Sequence, residues 1–320
     1  MSRIHDALKK AAQDRPAPPP SDATISMGEL PASAPEWSSR GSLPAASAAT
    51  EAIAIATMPT GHLRFEDLQA NCAQPAWHPD PNSNVFFNPN LNAHAAEQFR
   101  TLRSRLYQIR DVQNLRTLLI TSSVLGEGKT FVTSNLAQSI VRQPDRRVMI
   151  IDADLRCARL HSMLGAPPSP GLTEYLRGEA DEFQIIQRGP GGNICLIPGG
   201  QEVPNPSELL MNGRLKNLLD RIGSAFDWVI FDSPPCVTVS DASILARYCD
   251  GVLLVVRATT TPVEVAQKAC QEMKDRNLVG VVLNATEDDH FYGSYYAQGY
   301  GYVYGSEPER GPGGHSTAIG

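Results

Sequence analysis

The sequence lacks any long hydrophobic run. A membrane-spanning helix needs about 18 consecutive apolar residues, and the most apolar segments here, at 148–151 and 252–256, have only the length of a buried strand. The start, Met1-Ser-Arg-Ile-His-Asp, also lacks the apolar core of a secretory signal. These two absences predict a soluble, cytoplasmic protein.

Cysteine is scarce and is not arranged for metal binding. The six cysteines include no C-x-x-C pair and show no zinc-like spacing with histidine, so we expect most of them to be buried apolar residues. The net charge is −6, which argues against general attraction to nucleic acid and leaves only a local basic face open.

Composition divides the chain into five parts. Residues 1–15 can form a short amphipathic helix, which either docks on a partner or membrane surface or remains a solvated terminus. Residues 16–60, rich in Pro, Ala and Ser, predict a disordered linker. Residues 61–91 are expected to be an extended segment packed on the core, residues 92–286 a globular domain and residues 287–320 a mobile tail.

The globular part alternates between strand-length apolar runs and helical patterns. A helix is predicted at 94–109, and another pattern of helical period spans 209–222. The predicted strands are 118–121, 148–152, 194–198, 228–232, 252–256 and 279–284. This alternation predicts an α/β fold with a mainly parallel central sheet and helices on both faces.

A phosphate-binding loop is predicted directly after the first strand. The segment Ser123-Val-Leu-Gly126-Glu-Gly128-Lys129-Thr130 matches the P-loop pattern except that Ser123 replaces the first glycine. An apolar strand precedes the loop and an amphipathic helix follows it, which places the loop at a helix N-terminus where anions are stabilised. The residues expected to contact a nucleotide, most simply ATP with Mg²⁺, are Ser123, Gly126, Glu127, Gly128, Lys129, Thr130 and Phe131.

Acidic residues end two further strands. Asp152 and Asp154 follow one apolar run, and Asp232 ends another. The carboxyl ends of parallel strands share one edge of a sheet, so these acids should lie beside the P-loop, where Mg²⁺ prefers oxygen ligands. Each acid taken alone could instead be a helix cap or a turn former.

Together these segments resemble the bacterial tyrosine kinases of polysaccharide export, which belong to the deviant P-loop ATPases alongside the MinD and ParA proteins. The resemblance covers roughly residues 92–304. It rests on Ser122–Thr130 as Walker A, Asp152–Arg156 as Walker A′ and Asp232–Pro235 as Walker B, and Pro204–Leu210 and Asp241–Val256 also read like the kinases. MinD-type loops carry an extra lysine where this chain has Val124 and Leu125, which favours the kinase branch.

Two features outside the loop strengthen the resemblance. Glu97, Arg100 and Arg103 match the E-x-x-R-x-x-R motif through which these kinases form rings, and their spacing on a helix places them within an arc of about 120°. A solvated charged face would show the same spacing.

The tail carries six tyrosines interleaved with glycine, a pattern that a hydrophobic core cannot use. The resemblance implies that these tyrosines are autophosphorylation sites. They are Tyr292, Tyr295, Tyr296, Tyr300, Tyr302 and Tyr304.

The resemblance implies a set of catalytic roles. Lys129 offsets phosphate charge, while Thr130, Asp154 and Asp232 hold Mg²⁺ directly or through water. Asp152 accepts the phenol proton, although Asp152 and Asp154 could exchange roles. Lys129, Asp152, Asp154 and Asp232 are therefore the expected catalytic residues.

The resemblance also implies partners and a location. It predicts a ring-type homo-oligomer, activation by a transmembrane Wzz-like chain-length regulator and reversal by a tyrosine phosphatase. The kinase would then be cytoplasmic and peripheral to the inner membrane through that partner, and nucleic acid is not an expected partner.

Two other functions fit parts of the sequence. A MinD- or ParA-like ATPase would act as a positioning switch and release phosphate to water, and it would not need the tyrosine tail. An ATP-binding scaffold would regulate polysaccharide assembly without catalysis. An iron-sulfur carrier ATPase is disfavoured because C-x-x-C is absent.

Overall fold

The central feature of the fold is one sheet whose strands are almost wholly apolar. A computed structural model describes residues 61–87 and 93–286. The strands in these residues are β1 (Thr117–Ser122), β2 (Val148–Asp152), β3 (Gln187–Arg188), β4 (Ile194–Ile197), β5 (Trp228–Asp232), β6 (Gly251–Arg257) and β7 (Leu278–Asn284).

The sheet has seven strands in the order β3-β4-β2-β5-β1-β6-β7. Every pairing is parallel except that of the two-residue edge strand β3 with β4. This arrangement confirms the predicted α/β fold with a mainly parallel sheet. β3 was not predicted, because two residues are too few to show the period of a strand.

The helices cover both faces of the sheet. They are α1 (Phe65–Asn71), α2 (Ala93–Arg110), α3 (Lys129–Val141), α4 (Leu160–Leu164), α5 (Leu172–Arg177), α6 (Glu182–Ile185), α7 (Pro206–Leu210), α8 (Arg214–Ile222), α9 (Asp241–Leu245) and α10 (Val263–Glu272). None of these described helices is long and apolar enough to cross a membrane.

Two apolar clusters form the core, one on each face. Successive strand residues belong to opposite clusters. Leu119 and Ile151 belong to the cluster that also contains residues of α5 and α8. Leu118 and Ile150 belong to the cluster that also contains residues of α2 and α3. This alternation follows from the two-residue period of a strand. Because both faces are buried, the strands read as continuous apolar runs.

The structure differs from the sequence prediction in two further elements. The pattern at 209–222 is not one helix, because Gly213 adopts a left-handed conformation with φ 81° between α7 and α8. Residues 61–87 are not wholly extended, since they contain α1, whose Phe65 and Leu68 are buried in the core. The predicted helix at 1–15, the linker at 16–60 and the tail at 287–320 lie outside the described residues.

A polar cluster fastens the segment before α2 to the helix after the P-loop. The buried Asn84 side chain donates to the Met163 carbonyl at 2.9 Å and accepts from the Ser134 hydroxyl at 3.0 Å. Asn135 Oδ1 accepts from the Val85 N–H at 2.8 Å, and its amide donates to the Ser83 carbonyl at 3.1 Å. These bonds join residues 50 to 79 positions apart and fix α3 from outside the sheet.

Replacing Asn84 by alanine should destabilise the domain. Asn84→Ala removes the partner of the buried Ser134 hydroxyl and of the Met163 carbonyl, so we expect the free energy of unfolding to fall by about 1–3 kcal/mol, measured by urea denaturation. Asn82→Ala, an exposed residue in the same turn, should change it by less than about 0.5 kcal/mol. Equal effects of the two substitutions would contradict this account of the cluster.

Candidate active site

The loop between β1 and α3 has the geometry of an anion-binding turn. Gly126 and Gly128 have φ values of 84° and 93°, a left-handed region that favours glycine. Gly128 caps α3 without a side-chain hydrogen bond to the first helical turn. The N–H groups of that turn therefore remain available, and together with the helix dipole they favour a phosphate.

Three aspartates and one lysine meet beside this loop. Asp152 and Asp232 are the last residues of β2 and β5 and lie opposite each other in register, which places their backbones about 4.8 Å apart. Asp154 follows two residues after β2, and its Oδ2 lies 2.9 Å from Nζ of Lys129. All three aspartates are buried. The structure thus brings together the four side chains predicted to be catalytic.

Burial perturbs the titration of this cluster. It raises the pKa of Asp232 to about 6, against the opposing effect of Lys129. Burial also raises the pKa of Asp152 well above its usual range, and the charge of Asp232 adds to this effect. For Lys129, burial lowers the pKa, but the charges of Asp232 and Asp154 outweigh it and leave the pKa raised. Perturbed carboxylates of this kind are characteristic of functional sites.

The buried oxygens of the cluster are suited to a cation. Asp152 Oδ2 accepts from the Leu160 N–H at 2.9 Å, whereas Asp152 Oδ1 is buried without a hydrogen-bond partner. The Asp232 carboxylate is buried beside the hydroxyl groups of Thr130 and Thr133. Within the described residues, no group of three or more His, Cys, Asp or Glu side chains could hold a metal ion alone. Mg²⁺ at phosphate sites needs only one or two carboxylates, with phosphate and water completing its shell, so these residues fit Mg²⁺ bound with a nucleotide.

A second polar cluster borders the site, and sequence reasoning missed it. Arg156 donates from Nε to Asp241 Oδ2 at 2.7 Å and from Nη2 to the Ser207 hydroxyl at 3.1 Å. Ser207 also donates to Asp241. Arg156, Ser207 and Asp241 each lie in a segment that resembles the kinases, but their separations of 34 to 85 residues hide the contact. The cluster ties the loop after β2 to α7 and α9.

Three of the residues predicted to contact the nucleotide have side chains that are buried or packed within the domain. The Phe131 ring packs on Phe99 with centroids 5.8 Å apart. Ser123 is fully buried, and its hydroxyl has no hydrogen-bond partner. The Glu127 carboxylate is bonded to residues of the domain, as described below. These positions can serve a nucleotide through their backbone.

The motif on α2 is only partly exposed. Glu97 and Arg100 are exposed and form an ion pair at 2.8 Å. Arg103 is half-buried and donates to the Ser139 carbonyl of α3. The three side chains therefore do not form one free surface, because Arg103 holds α2 against α3. The tail tyrosines from Tyr292 to Tyr304 lie outside the described residues.

Comparison with known proteins places the chain among the kinases. No family model matches it. Over 191 residues it is 34% identical to the tyrosine-protein kinase YwqD of Bacillus subtilis, a match that covers 59% of this chain and 80% of YwqD. The chain belongs to the bacterial tyrosine kinase family.

Two further comparisons agree with this assignment. Over 193 residues the chain is 37% identical to the tyrosine-protein kinase Etk of Escherichia coli, which covers 59% of this chain and 26% of Etk. The chain therefore spans about a quarter of the length of this relative. The solved structure of the kinase domain of Etk superimposes with a TM-score of 0.58 at 32% identity, covering 72% of this chain and 87% of that domain.

Asp232→Asn should stabilise the protein when nucleotide and Mg²⁺ are removed. The folded-state pKa of Asp232 is about 6, above its ordinary 3.8. Protonation of this aspartate therefore stabilises the folded protein. This stabilisation is complete below pH 4 and is lost as the pH rises through 6. The variant avoids that loss, so in EDTA we expect it to raise the free energy of unfolding by roughly 1–3 kcal/mol at pH 8 and by much less at pH 4, where the aspartate is protonated in most folded molecules and the loss has hardly begun. Thermal unfolding at both pH values measures this difference.

The exposed Asp275 supplies a matched control. Asp275→Asn should leave the melting temperature nearly unchanged at both pH values. A pH-independent effect of Asp232→Asn would show that burial of its charge does not cost stability.

Proposed function

We propose that this chain is an ATP-dependent protein-tyrosine autokinase. It phosphorylates the tail cluster Tyr292, Tyr295, Tyr296, Tyr300, Tyr302 and Tyr304, in trans within a ring, and thereby regulates exopolysaccharide polymerisation or export. The observation that carries the proposal is the convergence of Lys129 with three buried aspartates beside the P-loop, in a chain of the tyrosine kinase family.

Nucleotide binding uses the loop backbone and one cation. The amides that follow Gly126 and Gly128 cradle the phosphates, and Lys129 exchanges its contact with Asp154 for the β- and γ-phosphate oxygens. Thr130, Asp154 and Asp232 hold Mg²⁺, which offsets the negative charge of the transferring phosphoryl group. Phosphoryl transfer requires mainly such positioning and charge neutralisation.

Asp152 is the proposed acceptor of the phenol proton. A tyrosine hydroxyl has a pKa of about 10, so a carboxylate removes its proton efficiently only when the bond from oxygen to phosphorus is already forming. The raised pKa of Asp152, caused by burial and by Asp232, makes it a stronger base once ionised. Asp152 and Asp154 could exchange these roles, since both are buried beside Lys129.

The end of β7 supports the tail as the acceptor. β7 is parallel to β6 and ends at Asn284 on the P-loop edge of the sheet, where the Asn284 amide donates to the Glu127 carbonyl at 2.8 Å. Tyr292 to Tyr304 follow Asn284 by 8 to 20 residues, which span at most about 28–70 Å when extended. This reach is sufficient for the active site of a neighbouring subunit.

We further propose the assembly and its partners. Glu97 and Arg100 contact the neighbouring subunit in the ring, a transmembrane Wzz-like regulator activates the kinase at the inner membrane, and a tyrosine phosphatase reverses it. Each phosphotyrosine adds about 1.5 to 2 negative charges. A modified tail therefore leaves the acidic site and weakens the ring.

Phosphorylation in trans can be tested by mixing two inactive proteins. Lys129→Met keeps the tail but loses the site, and a variant with the six tail tyrosines replaced by phenylalanine keeps the site but loses the acceptors. With Mg-ATP and an activator segment, we expect each to remain unmodified alone and the mixture to carry phosphate on residues 292–304 of Lys129→Met, as mapped by mass spectrometry. Wild-type protein that leaves these tyrosines unmodified while steadily releasing phosphate would instead favour the MinD-like ATPase.

The role of α2 can be tested by charge exchange. The double variant Glu97→Arg with Arg100→Glu keeps the ion pair within the helix but reverses the charges offered to a neighbour. If the pair acts between subunits, both Arg100→Glu and the double variant should sediment as smaller species than the wild type. Wild-type assembly by the double variant would show that the pair stabilises only the helix, where it contributes about 0.2–0.5 kcal/mol.

A further inference from the structure

The carboxylate of Glu127 is held by the domain. Although Glu127 lies within the P-loop, it is only 2% exposed. Its Oε2 accepts from the Val124 N–H at 2.8 Å, and its Oε1 accepts from the Thr261 hydroxyl at 2.6 Å and the Arg257 N–H at 3.3 Å. One bond closes the loop on itself, and the other two join it to the end of β6 and to the turn before α10.

Asn284 holds the same residue through its backbone. Its side-chain amide donates to the Glu127 carbonyl at 2.8 Å. In a planar trans peptide the carbonyl and the following N–H point in opposite directions. Fixing the Glu127 carbonyl towards Asn284 therefore turns the Gly128 N–H to the other side of the loop.

The packing around Gly128 agrees with this arrangement. A Cβ atom at Gly128 would lie 2.1 Å from Asn284 Nδ2, so any other residue would displace the amide. The preceding peptide is held in the same manner, because the Arg257 guanidinium donates to the Gly126 carbonyl at 3.2 Å. Two successive peptides of the loop are thus oriented from outside by residues of β6 and β7.

We propose that Glu127 and Asn284 are positioning residues for phosphate binding. They act through the loop backbone: Asn284 orients the Gly128 N–H, and Glu127 holds the loop closed against the β6 to α10 segment. Thr261 contributes by donating to Glu127. This inference rests on the proposed nucleotide binding and not on the identity of the phosphoryl acceptor.

Isosteric substitutions test the proposal. Glu127→Gln replaces an acceptor oxygen by an N–H donor, and Asn284→Asp removes the donor to the Glu127 carbonyl. Isothermal titration of the full chain with Mg-ADP should show Kd raised about tenfold or more in each. The Kd for adenosine, which lacks phosphates, should change little. A general loss of structure would weaken both ligands alike.

A second pair of variants distinguishes the contribution of the Thr261 hydroxyl to binding from the contribution of its side-chain volume. Thr261→Val should weaken Mg-ADP binding by several fold, whereas Thr261→Ser, which retains the donor, should restore it. Glu264→Gln alters an exposed carboxylate of the same segment and should leave Kd unchanged.

An unchanged Kd for Mg-ADP in Glu127→Gln and Asn284→Asp, or an equal loss for adenosine, would overturn the proposal. Binding is measured without phosphoryl transfer, so failure of the kinase function would be visible separately as an unmodified tail. Wild-type protein that does not bind Mg-ADP would overturn both proposals.

Discussion

The contact between Lys129 and Asp154 is the interaction on which the site depends. Asp152, Asp154 and Asp232 are buried around the ammonium group of Lys129, and burial makes the ionisation of Asp152 and Asp232 costly. A group of like charges in a dry environment does not favour folding. The presence of such a group beside a P-loop is consistent with a site in which bound Mg²⁺ and phosphate complete the balance of charge. The free protein is less stable as a result.

Sheet topology produces this concentration of charge. β2, β5 and β1 are neighbours in a parallel sheet, so their carboxyl ends share one edge, and residues far apart in sequence meet there. The interior of the sheet supplies the low dielectric, because both faces are covered by apolar side chains. The fold therefore creates both the proximity of the acids and the burial that perturbs them.

The P-loop is held from several directions. Arg257 of β6 and Asn284 of β7 donate to its carbonyl groups. The Arg156 and Asp241 cluster braces the loop after β2, and Asn84 and Asn135 fasten α3 to the preceding segment. Such outer contacts keep backbone amides oriented before a ligand arrives, which reduces the reorganisation required on binding. The end of β7 participates in this support and is also where the chain continues towards the tyrosines.

Local sequence patterns predicted the strand runs except β3, the fold class, the P-loop and the acids at strand ends. Hydrophobic period and motif spacing are local properties, and the parallel sheet follows from them. Other features became visible only in the folded structure: the break at Gly213, the helix α1, the inward direction of Arg103 and the partners of Glu127. The contact between Glu127 and Asn284 joins residues 157 positions apart, and no local pattern specifies which side chain will face a given carbonyl. Side-chain direction depends on how packed elements meet, and that is settled only when the chain has folded.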